Sequence, residues 1–110
     1  MSIYSKLQAS GNYIQVNKIL IKKIGLEETI LLSELADEEH YWESNKKLNK
    51  DRYFFSTVDN IREVLGYKID KQRLLIKHLE DKSIISVQYR GMPRKRFIKI
   101  NDEEIFKLLK

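Results

Sequence analysis

The sequence predicts an α+β fold, mainly α-helical with one small β-hairpin, and three observations carry that prediction. Between Asn17 and Lys82, apolar residues recur at helical spacing in successive runs broken by Gly25, by a polar stretch and by Gly66. From Ile85 to Ile100 they alternate with polar residues at period two on both sides of Gly91-Met92-Pro93. The chain has 110 residues, 42% of them hydrophobic and 10% aromatic, the length of one domain with enough apolar mass for one core.

Residues 1–12 hold no clear pattern and read as a loosely ordered N-terminal segment ahead of a domain over 13–110. Tyr13-Ile14-Gln15-Val16 is a short extended piece. Asn17 is an N-cap for a helix carrying Ile19, Leu20, Ile21 and Ile24, stopped at Gly25. Leu26 restarts the chain. Glu27 and Glu28 sit in a first helical turn, where the macrodipole favours anions. That helix runs to about Glu43, with Leu31, Leu35 and Trp42 on one face, widened by Leu32 and Ala36. Residues 44–52 are polar and read as a loop, and Tyr53-Phe54-Phe55 is an aromatic strand. Ser56 is a good N-cap for a helix from Thr57 to Leu65, with Asp59 three residues on in capping-box position, and Gly66 ends it. Asp70 caps the next helix, with Ile69 and Leu74 as a hydrophobic staple and Leu75, Leu79 and Ile76 as the buried stripe, to about Lys82. The hairpin follows, with Pro93 in its loop costing no ladder bond. A short helix from Asp102 to Leu109 closes the chain.

Two helices joined by Gly66-Tyr67-Lys68-Ile69 form a helix-turn-helix unit, and the hairpin after them stands where a wing would. The element order is that of a winged helix-turn-helix.

Net charge is +5, and it is unevenly spread. Residues 27–43 carry seven acids and no lysine or arginine, while residues 66–101 carry a net +7. Such asymmetry points to a polyanionic partner for the basic part. In a helix-turn-helix the first residues of the second helix face base edges, here Lys71, Gln72 and Arg73, with Lys77 one turn on and Lys68 in the turn. Gln72 lies nearest the Leu75/Leu79 stripe. The hairpin adds Arg90, Arg94, Lys95, Arg96 and Lys99 with no acid between Ile84 and Asn101, a set of like charges that phosphate would neutralise. Tyr67, Tyr89 and Phe97 are candidates for stacking on unpaired bases, against the alternative of core or edge packing. If Ile98 and Ile100 point inward, Phe97 lies on the exposed face.

With no cysteine there is no disulfide, thiolate zinc site or cysteine nucleophile. His40 and His78 are far apart, with solvated roles expected, and no phosphate-binding glycine loop or catalytic constellation is found. The expectation is therefore no enzyme, no metal and no cofactor. No apolar run approaches a membrane span, and the N-terminus lacks a signal-peptide pattern, so a soluble, cytoplasmic protein is expected.

The stretch from Ile14 to Asn101 resembles the N-terminal winged-helix domains of phage and plasmid replication initiators (replisome organisers) of low-GC Gram-positive bacteria. The matching pieces are Ile14-Gln15-Val16-Asn17, Gly25-Leu26-Glu27-Glu28, Leu31-Leu32-Ser33-Glu34-Leu35 and Tyr41-Trp42. Then come Tyr53-Phe54-Phe55-Ser56, Leu65-Gly66-Tyr67, the run from Gln72 to Glu80, Ile84-Ile85, Arg90 to Arg96, and Ile98-Lys99-Ile100-Asn101. That family often has Gly-Trp-aromatic where this chain has Tyr53-Phe54-Phe55. The resemblance implies DNA binding in replication of a mobile element, with double- or single-stranded DNA left open. Family members continue into a C-terminal domain, so a DNA-binding component rather than a full initiator is expected. The alternatives are a dimeric transcriptional repressor of the same fold, and a module whose acidic helix 27–43 docks on replication proteins or pairs head-to-tail with a second copy.

Overall fold

The computed structural model describes residues 2–110. Six helices and three strands follow in the order α1 (Ile3–Ala9), α2 (Lys18–Ile24), α3 (Leu26–Ser44), β1 (Phe54–Phe55), α4 (Val58–Leu65), α5 (Ile69–Asp81), β2 (Ile85–Arg90), β3 (Lys95–Ile100) and α6 (Asp102–Leu109). The strands form one antiparallel sheet in the order β1-β3-β2. Among the described residues, no helix is long and apolar enough to cross a membrane.

Local signals explain most boundaries. The Asn17 side chain accepts from the Ile19 and Leu20 amides at 2.9 and 3.1 Å, which starts α2. Gly25, at φ +106°, breaks the chain between α2 and α3. Gly66 takes the left-handed conformation, φ +76°, and its amide closes α4 on the Arg62 carbonyl at 2.8 Å. The hairpin register pairs Ile85 with Ile100 and Val87 with Ile98, so these point to the helices. β1 adds Phe54 opposite Ile98.

The core lies between this inner sheet face and α2, α3, α4 and α5. Leu31, Leu35, Ile61, Leu79, Ile84 and Ile98 are fully buried in it. Trp42 and the α6 residues Ile105, Leu108 and Leu109 pack partly buried against it.

Several local expectations need correction. Residues 3–9, read as loosely ordered, are helical, although no α1 residue is buried. The cap of α4 is Thr57, whose side chain accepts from the Asn60 amide at 3.1 Å. Ser56 instead lies buried, with its amide on the Arg96 carbonyl. Ser56 is drawn into the sheet edge, so the helix starts one residue later. The cap of α5 is Lys68 without a side-chain bond, which leaves Asp70 in the first turn. Ile69 and Leu74 both stay exposed, so they do not serve as a buried staple. Ala36 is exposed, whereas Glu34 takes a buried place on α3.

Candidate nucleic-acid interface

Gln72 shows how α4 and α5 are held together. Its side chain is fully buried, and Nε2 donates to the Val58 carbonyl at 2.9 Å and the Tyr67 carbonyl at 2.7 Å. One amide thus ties α5 to the start of α4 and to the connecting turn. Buried polar atoms need such partners, and this one spends its donors on backbone. Gln72 is therefore a structural clamp and not a base-reading residue, a correction to its place among the expected contacts.

α5 also meets the N-terminus of α3. Glu27 pairs with Lys71, and Glu28 Oε2 lies 2.7 Å from His78 Nδ1. Lys71 Nζ sits 5.2 Å from the centre of the Tyr67 ring. The contact with Glu27 holds the Lys71 ammonium above its ordinary pKa. Although partial desolvation acts in the opposite sense, the His78 hydrogen bond holds the Glu28 carboxyl below its usual value. The two glutamates therefore tie helices together as well as facing the α3 dipole, and His78 is engaged rather than simply solvated. Lys71, expected as a free contact, is committed to an internal ion pair.

The outward face of α5 is left with Asp70, Arg73, Leu74 and Lys77. Arg73 and Lys77 are exposed and make no ion pair among the described residues. Leu74, 54% exposed, stands between them. The sequence already held the signal for this residue, because Leu74 falls off the Leu75/Leu79 stripe.

Strand alternation sorts the hairpin. Arg96 shares the inner face with Ile98 and Ile100, and its Nε donates to the Ser56 carbonyl at 3.2 Å. Burial pulls the Arg96 guanidinium below its ordinary pKa. It is an anchored wall, not the free phosphate ligand expected. On the outer face Phe97 tilts against Phe55, with ring centres 5.7 Å apart, and Arg90 covers it at 4.9 Å. Arg90 also covers Tyr53 and pairs with Asp51 at 2.8 Å. Tyr89 is exposed under the Arg94 guanidinium, at 4.8 Å, and Tyr67 is half-buried against the core. All three candidate stacking rings thus already have a protein neighbour. Lys99 lies at the base of the hairpin beside Asn101–Glu104, at the far end from the tip.

What the fold brings together is a groove of about 350 Å³ between the start of α5 and the hairpin. Ile69 and Arg73 line one side, and Tyr89, Arg94, Lys95 and Arg96 the other. Lys68 is exposed at the mouth of α5. Met92, 95% exposed, projects from the Gly91–Arg94 tip. The cations come from two segments some twenty residues apart in sequence, and no acid lines the groove with them.

Two solved structures share this fold. One is described as "N-Terminal domain of DNA binding protein", with a TM-score of 0.68, 18% identity, and coverage of 100% of this chain and 92% of that one. The other, "Structure of Rep-DNA complex", gives a TM-score of 0.69 at 18% identity with the same coverage. No protein-family model matches the chain, and no curated protein matches it.

Proposed function

We propose that the chain is a winged helix-turn-helix protein that binds duplex DNA, with α5 in the major groove and the β2–β3 hairpin as a wing on the neighbouring backbone. The observation that carries this reading is the groove where Arg73 converges with Arg94, Lys95 and Arg96. Lys68, Arg73, Lys77, Arg94 and Lys95 make no ion pair among the described residues, so a DNA anion can neutralise them without breaking an ion pair. Arg73 and Lys77 suit guanine O6 and N7, and Leu74 between them suits a thymine methyl. Duplex is preferred to single strands because Tyr67, Tyr89 and Phe97 are already engaged within the protein.

We infer a role in replication of a plasmid, phage or other mobile element, exercised in the cytoplasm by binding and not by catalysis. The resemblance carried by the motifs from Ile14 to Asn101 supports this role. So does the likeness in fold to the chain of the Rep-DNA complex.

Fluorescence anisotropy with labelled duplex and single-stranded oligonucleotides over a range of salt tests the reading. Three phosphate contacts, from Lys68, Arg94 and Lys95, predict a log–log salt slope of about −2.7 on duplex. Arg94→Ala with Lys95→Ala should reduce that slope by about 2 and weaken all sequences alike. Absence of duplex binding at low salt, or tighter binding of single strands, overturns it.

A further inference from the structure

A second cleft, of about 510 Å³, lies between the later turns of α3 and the β1–α4 corner. Its chemistry is the reverse of the basic groove. Glu34, Asp37 and Glu38 supply carboxylates, and Tyr41, Trp42 and Phe55 supply aromatic surface. Glu34 is only 6% exposed, yet it makes no hydrogen bond or ion pair among the described residues. Glu38 Oε2 is likewise buried without a partner. Tyr41 and Trp42 meet edge to face, with ring centres 5.5 Å apart at 82°.

Desolvating a carboxylate without a partner costs free energy, and a cation that enters the cleft recovers it. Burial pushes the Glu34 carboxyl up, and neighbouring Asp37 pushes it further. The aromatic walls select among cations. A guanidinium is planar and weakly hydrated, stacks on Trp and Tyr faces, and forks onto carboxylates, whereas an ammonium or a divalent metal ion keeps its water more tightly.

We propose that this cleft is a docking site for an arginine side chain presented by a partner protein. Charge complementarity on Glu34 and Asp37 and the Tyr41–Trp42 wall carry the proposal. It does not depend on the DNA reading, because it uses none of the groove cations.

Trp42 is the only tryptophan in the chain, so its emission reports on this cleft alone. The test titrates the full chain with a capped Gly-Arg-Gly peptide, its citrulline counterpart (same shape, no charge) and its lysine counterpart. Saturable change with the arginine peptide is expected, with binding at least about tenfold weaker for citrulline and several-fold weaker for lysine. Glu34→Gln with Asp37→Asn should weaken arginine binding at least about tenfold. Asp37→Asn alone, at the exposed rim, should weaken it several-fold while far-UV circular dichroism stays unchanged, which separates lost docking from lost folding. Equal binding of the citrulline peptide overturns the proposal, as does an equal response to magnesium ion alone. So does sedimentation showing that a second copy of the chain fills the cleft.

Discussion

Replacing Glu38 by glutamine should stabilise the protein, by an amount that grows with pH. Glu38 lies within electrostatic reach of Glu34 and the anchored Arg96, with Oε2 buried and unpartnered. Burial pushes its carboxyl from the ordinary 4.5 up to about 7; the nearby Ser56 hydroxyl pulls back, Glu34 pushes up and Arg96 pulls back. Below pH 4.5 the group is protonated folded and unfolded, and it costs the fold nothing. Between 4.5 and about 7 the unfolded chain ionises first, so stability falls as pH rises. Above about 7 the penalty is complete. At about 1.36 kcal/mol per pH unit, that interval corresponds to roughly 3 kcal/mol. This is a ceiling, because the glutamine amide must itself be desolvated. The expected gain for Glu38→Gln is about 1–3 kcal/mol at slightly alkaline pH, fading toward nothing near the unfolded-state pKa. Each kcal/mol raises Tm by roughly 4–8 °C in a domain near this size. Urea melts followed by far-UV circular dichroism across that range measure it. A variant no more stable than wild type at alkaline pH, or one whose gain is the same at every pH, refutes the reasoning.

Gln72→Ala removes two hydrogen bonds to backbone carbonyls and leaves a cavity. It should cost about 2–4 kcal/mol by denaturant melts, while any folded fraction keeps its preference among DNA sequences. The two interhelical glycines should differ on substitution by alanine. A Cβ at Gly66 meets nothing within 4 Å, so only the left-handed strain remains, about 1 kcal/mol. A Cβ at Gly25 would run into the Glu28 carboxylate that bonds His78, so Gly25→Ala should cost more, about 2–3 kcal/mol. Equal melting of the two alanine variants would show that Glu28 yields freely.

Element order was legible because each element from Asn17 onward announces itself within a few residues. The Asn17 cap, the Gly66 stop and the alternation around Gly91-Met92-Pro93 are local devices, and all three act as their residue types suggest. Misplacements came where distant groups compete for a local role. Ser56 has the chemistry of a cap, but the sheet claims its amide through the Arg96 carbonyl, and Thr57 caps instead. Ile69 and Leu74 have staple spacing, but α5 turns both outward.

By itself, the sequence determined the α+β order of elements, the segregation of acid onto α3 and base onto the part from Gly66 to Asn101, and the outward aim of Arg73 and Lys77. Those follow from backbone propensity and periodicity, which act over one or two turns. Only the tertiary structure decided which charges are free. Lys71 is drawn to Glu27, Arg90 to Asp51, and Arg96 to the Ser56 carbonyl, while Arg94 and Lys95 are left without an ion pair beside Arg73. Pairing depends on distances between segments far apart in the chain, and no local pattern encodes those distances.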